Sequence, residues 1–184
     1  MAMINQERAV IFFDARNLIK GQETFREKGY FSNFGYREIM DYFSRQFHII
    51  RGYYYDGAPH SSQLSEDRKK FFRLLRQWGI TLRLKEIDFN KHNHSQKGVD
   101  IYLTSDMISL AYENAYDIAI ICSGDGDYEA LIELVKSKGK KVWVLSYECC
   151  TSQKLRECAD NVLFVGKIDS LHRYKAKNSK DLNK

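Results

Sequence analysis

Six short runs of mainly apolar residues, separated by stretches with helical spacing, limit what this chain can fold into. "AVIFF" at 9–13 reads as a buried strand that ends at Asp14. "FHIIRGYYYDG" predicts a strand near 48–55, closed by Asp56-Gly57, and "ITLRLKEI" alternates over 80–87. "DIAIICS" (117–123), "KVWVLSY" (141–147) and "NVLFVG" (161–166) complete the set. Residues 36–47 carry an apolar helical pattern, and "SSQLSEDRKKFFRLLRQWG" predicts a helix that Ser62 or Ser65 caps and Gly79 ends. Further helices are predicted over 99–114, 127–138 and 151–159, with a polar loop, "DFNKHNHSQKG", before the first of them. Strands this apolar, alternating with helices, indicate an α/β fold whose mostly parallel sheet is covered on both faces. Right-handed crossovers then bring the helix N-termini to the carboxyl ends of the strands, the edge at which open sheets of this kind bind ligands.

Composition narrows the class. A chain of 184 residues with 43% hydrophobic content suits one domain with a real core. No stretch reaches the roughly 18 apolar residues of a membrane span. The apolar run before Asp14 is too short for a signal peptide, so a cytoplasmic protein is expected. The four cysteines show neither C-x-x-C nor Cys/His zinc spacing, and Cys122 reads as a small core residue. The net charge of +5 invites a nucleic-acid reading, but residues 167–184 hold +4 of it. The expected organisation is therefore one domain over 1–166, close to neutral, and a basic C-terminal tail over 167–184 that serves solubility. Tyr53, Tyr54 and Tyr55 are expected to divide between core and surface rather than to stack on bases.

Four aspartates fall at one edge of such a sheet. Asp14 closes the first strand, and Asp125 and Asp127 follow the fourth in "IICSGDGDYEALIELV". Asp100 lies in the first turn of the 99–114 helix, whose apolar stripe is Val99, Leu103, Met107 and Leu110. Asp100 and Asp106 sit about 60° to either side of that stripe, with Asp106 about 9 Å further down the helix. Asp100 is thus the better candidate for the edge, and Asp106 a flank. Each acid also has an ordinary reading: Asp127 as a helix cap, Asp100 as a charge suited to a positive helix end, Asp14 as a strand terminus. Crowded carboxylates raise one another's pKa, a cost that a hard divalent cation removes. Oxygen ligands of this kind suit Mg²⁺ or Mn²⁺, and the chemistry that follows is attack of a metal-activated water on a phosphodiester. Asn17, one turn past Asp14, either orients a water or ligand carboxylate or is a plain turn residue.

These segments resemble a known family. "VIFFDARNL", "KGVDIYLTSDM" and "ICSGDGDYEALIELVKSKGKKVWV" are similar, in order, to the motifs of the NYN domain, and "SQKLRECADNVLFV" resembles its closing helix and strand. The LabA-like bacterial branch is the nearest in pattern. The resemblance implies a PIN-like, Rossmann-like three-layer sandwich and a metal-dependent nuclease, with single-stranded RNA the expected substrate. By it Asp14, Asp100, Asp125 and Asp127 are metal-site carboxylates, with Asn17 among the catalytic set and Ser123 and Asp106 in support. The family often has glycine and a small polar residue where this chain has Ala15 and Arg16. Arg16 either holds a phosphate or pairs with a carboxylate and weakens metal binding. No membrane partner is expected, and self-association is left open.

Two rivals remain. A phosphatase of the haloacid dehalogenase type would need a second acid two residues after Asp14, where Arg16 stands. A non-catalytic RNA-binding or regulatory module would keep the fold and bind without cleaving. The loop "NKHNHSQKG" (90–98) is expected to act as a flap over the nucleic-acid backbone, with Lys97 as its phosphate contact; the plain alternative is a solvated connection.

Overall fold

The computed structural model describes residues 6–28, 35–87 and 98–168. Among the described residues, six strands, β1 (Arg8–Asp14), β2 (His48–Ala58), β3 (Ile80–Glu86), β4 (Ile118–Cys122), β5 (Lys141–Ser146) and β6 (Asn161–Phe164), form one sheet in the order β3-β2-β1-β4-β5-β6. Every neighbouring pair is parallel. The described α-helices that join them are α1 (Ala15–Glu27), α2 (Tyr36–Ser44), α3 (Glu66–Gln77), α4 (Val99–Tyr112), α5 (Glu129–Ser137) and α6 (Gln153–Cys158).

Strand alternation sorts the core into two layers. Ile11 and Phe13 pack with Leu18 of α1, Ile39 and Phe43 of α2, and Phe72 and Leu75 of α3. Val10 and Phe12 face the other way, onto Leu103 and Met107 of α4, Ile132 and Val135 of α5, and Leu155 of α6. The central strand β1 is buried from Ala9 through Asp14. Each large apolar side chain there contributes roughly 1.5–3 kcal/mol of burial free energy. Because both faces are covered, Tyr54 and Tyr55 are both buried, one in each layer, instead of one reaching solvent.

The elements match the sequence expectations, with three differences. Helix α1 is not among the predicted helices. Its spacing signal, Ala15, Leu18 and Phe25, is interrupted by Gly21, where a Cβ would come within 2.8 Å of the Tyr147 ring. The 61–79 segment divides into a 3-10 turn at Ser61–Gln63 and α3, and Ser65 is the cap, its Oγ accepting from Arg68 N at 3.3 Å. A 3-10 turn at Gly126–Tyr128 precedes α5, so Asp127 does not cap that helix. Of the tail expected from 167, only Lys167 and Ile168 are described, and Lys97 lies outside the described residues. Lys167 pairs with Glu148 at 2.9 Å. Among the described residues no helix is long and apolar enough to cross a membrane.

The topology singles out one place. The chain leaves β1 over the face covered by α1 and α2 to reach β2, and leaves β4 over the opposite face, through α5, to reach β5. The two crossovers diverge, so a crevice opens between the carboxyl ends of β1 and β4, the switch point at which such sheets bind ligands.

Candidate functional site

Asp14 is the last residue of β1 and the cap of α1. Its Oδ1 accepts the backbone N–H of Asn17 at 3.1 Å, and its Oδ2 accepts the hydroxyl of Ser123 at 3.0 Å. Only 7% of Asp14 is exposed. Ser123 follows β4 directly, and its Oγ in turn accepts from Asp125 N at 3.2 Å. The side chain of Asn17 holds the same loop from the other side, its Oδ1 accepting Gly124 N at 2.8 Å. The sequence left open whether Asn17 orients a ligand; the structure uses it to fix the backbone after β4 against the start of α1.

Tyr128 is the residue that the sequence reading did not single out. It is buried, and its hydroxyl lies 3.4 Å from Asp14 Oδ2 and 3.3 Å from Asp100 Oδ1. One hydroxyl carries one proton and can donate to only one carboxylate. Both contacts are favourable at once only when one of the acids is protonated. Asp14 is suited to that state: its pKa is pushed up to about 6, mainly by burial, which outweighs the bonds from Asn17 and Ser123, with Asp100 and Asp125 adding to the rise. The same burial, with the three acids beside it, pushes the Tyr128 hydroxyl far up as well, so it stays neutral. A buried tyrosine six residues after β4, at the start of an amphipathic segment, is a signal that reads as core and conceals this position.

The predicted acids do not all meet. Asp14, Asp100 and Asp125 interact around Tyr128. Asp127 joins through its backbone, its N–H donating to Asp125 Oδ1 at 3.1 Å, while its carboxylate is exposed and lies on the side of Lys154. Asp106 turns away: it accepts from Arg83 Nε at 2.7 Å and Nη2 at 2.6 Å, and from the Tyr55 hydroxyl at 2.9 Å. Arg16 is exposed and forms no ion pair with a described carboxylate; it lines a cleft on the β2 side of Asp14. All the convergent donors are oxygens, as a hard cation requires. Among the described residues, no three His, Cys, Asp or Glu side chains lie close enough to hold a metal ion as they stand.

A family profile described as the NYN domain matches residues 8–169. The chain is similar to the Low amplitude and bright protein LabA of Synechococcus elongatus, with 28% identity over 171 residues, 89% of this chain and 86% of that protein. Its fold is similar to the crystal structure of a protein of unknown function from Vibrio parahaemolyticus. That match has a TM-score of 0.75 and 28% identity, covering 94% of this chain and 99% of the other.

Proposed function

Because the chain belongs to the NYN domain family, we propose that it is a metal-dependent nuclease that hydrolyses phosphodiester bonds, with single-stranded RNA as its first substrate. The observation that carries this reading is the meeting of Asp14, Asp100 and Asp125 around the Tyr128 hydroxyl at the topological switch point. Burial raises the Asp14 pKa, with repulsion from Asp100 and Asp125 adding to it, and a bound cation would offset the cost of ionising Asp14 there. Mg²⁺ or Mn²⁺ would be held by Asp14 with Asp100 and Asp125. Few protein oxygens suffice, because magnesium keeps several waters when bound by one or two carboxylates. Such an ion supplies a Lewis acid and lowers the pKa of water.

This chain's residues do the rest. Ser123 and the Asn17 N–H would hold the ionised Asp14 carboxylate in place for the cation. Tyr128 is left with Asp100 as its acceptor. Asp127, exposed in the same loop, would orient the attacking water or take its proton. The direct test is incubation of the protein with labelled single-stranded RNA and DNA under Mg²⁺, Mn²⁺ and EDTA in parallel. Cleavage with either metal and none with EDTA is expected.

The spread of the described acids, too wide for a three-residue metal cage, favours one alternative, a module that binds RNA without cutting it. Binding with no product under either metal would establish that reading and end the nuclease one. The phosphatase reading has no support at Arg16, which stands in the cleft where a second acid would be needed.

The two acids of α4 should separate by function. Asp100→Ala is expected to cost far more activity than Asp106→Ala. Asp106→Ala instead releases Arg83 and the Tyr55 hydroxyl, a stability loss on the order of 1–2 kcal/mol. Steady-state rates and melting temperatures of the two variants check this; equal activity losses with equal stability would contradict it.

A further inference from the structure

We propose that the cleft beside the acidic cluster is the seat of the nucleic-acid backbone, with Arg16 and Arg68 as its two phosphate contacts. The inference rests on the nuclease reading and deepens it. The cleft has a volume of about 470 Å³, and Arg16, Asp56, Leu64 and Arg68 contribute to its walls. It lies at the catalytic edge: Asp14 is opposite Tyr55 in the β1–β2 register, so Asp56 continues β2 just beyond it. Arg16 projects from the first turn of α1, two residues after Asp14. Helix α3 opens on the other wall, capped by Ser65.

Arg68 is built in rather than merely present. The buried Asp56 holds its guanidinium through Nη2, and the Asp56 carboxylate is fixed in turn by the Tyr54 hydroxyl at 2.9 Å and Gly57 N at 2.8 Å. The guanidinium also stacks over the Phe72 ring at 5.1 Å. A cation fixed in this way loses little freedom when it receives an anion. Its Nε is buried without an acceptor among the described residues, while 37% of the side chain remains exposed to the cleft's solvent. Arg16 faces the same space without a described carboxylate partner. Two arginines against the single Asp56 leave the cleft positive, next to a site crowded with acids that would otherwise repel a polyanion. Ile19, Pro59 and Leu64 give it an apolar wall against which a sugar or base can lie.

The experiment measures binding of a labelled 12-nucleotide single-stranded RNA and its DNA counterpart in EDTA, across a salt series. The variants are Arg16→Ala, the double variant Asp56→Asn with Arg68→Met, and, as a control at the far end of α5, Lys138→Ala, which matches the charge change of Arg16→Ala. The double variant avoids leaving a buried carboxylate without its cation. Melting temperatures establish that each is folded, and Arg16→Ala, altering an exposed side chain, keeps the test decisive by itself. The expected result is an affinity loss on the order of tenfold at low salt for both cleft variants on both polymers. Each lost contact lowers the salt slope by about 0.7. The control is unchanged. Parent-like binding by the cleft variants, or an equal loss in Lys138→Ala, overturns the cleft while leaving the nuclease reading intact. Loss on RNA alone overturns the backbone assignment in favour of contact with the 2′-hydroxyl. A parent protein that neither binds nor cleaves either polymer overturns both proposals together.

Discussion

Asp14→Asn is expected to remove nuclease activity and, at neutral pH without metal, to make the protein more stable. The activity loss should exceed the roughly 10–100-fold that removal of a supporting contact costs at a metal site. The stability gain follows from burial. Asp14 has a pKa of about 6 in the fold, above its ordinary value of 3.8. Its neutral form is therefore the one the fold favours. That contribution is fully present below pH 3.8 and is lost as pH rises through about 6. Two units correspond to a loss of roughly 3 kcal/mol in the parent between pH 4 and 7. Asparagine keeps an oxygen for the Asn17 N–H and carries no charge, so the variant should lack this pH-dependent loss. Denaturant unfolding of both proteins in EDTA at pH 4, 5.5 and 7 measures it. Parallel stability profiles would mean that Asp14 is not held in the strained state described.

Gly124→Ala is expected to be the most damaging small substitution in the loop after β4. A Cβ there would lie well inside contact distance of the Cys150 carbonyl oxygen, 2.9 Å from its carbon and 2.7 Å from Ser146 Oγ. Those first two obstacles are backbone, and the same segment is pinned by Ser152 N donating to Gly124 O at 2.9 Å. The neighbours cannot rotate away, so the cost should be about 3 kcal/mol, or roughly 6–12 °C in melting temperature. Gly126→Ala provides the contrast. Its Cβ meets only the side chains of Ser152 and Lys154, which can move, and the loss should stay within about 1 kcal/mol. Thermal unfolding of the two variants side by side checks the ranking. A Gly124→Ala protein as stable as Gly126→Ala would show that the loop is not clamped. Gly124 lies between Ser123, which bonds Asp14, and Asp125, so its substitution should cost activity even below the melting transition.

The fold was legible because its strands are buried on both sides. Runs such as Val10–Phe13 and Ile118–Cys122 have no polar face, which fits only a covered parallel sheet. Helix α1 was less legible, because Gly21 breaks the apolar spacing in order to admit the Tyr147 ring, a contact with a residue far along the chain. The positions of Asp14, Asp100 and Asp125 followed from strand ends and a helix first turn. Their electrostatic state did not. It depends on the burial of Asp14 and on the Tyr128 hydroxyl between two acids, and no spacing rule encodes either. Asp106 shows the same limit from the other side. Helical geometry moved it off the edge, but its ion pair with Arg83 on β3 is a tertiary contact that only the assembled sheet reveals.

The central proposal is that Asp14, Asp100 and Asp125 would hold a divalent cation, and Mn²⁺ binding measured by titration calorimetry tests it most directly. The parent, Asp14→Asn and Asp106→Ala are compared at pH 7. The account predicts one Mn²⁺ site in the parent, its retention in Asp106→Ala and its loss in Asp14→Asn. Mn²⁺ bound equally well by Asp14→Asn, or not bound by the parent at all, would contradict it.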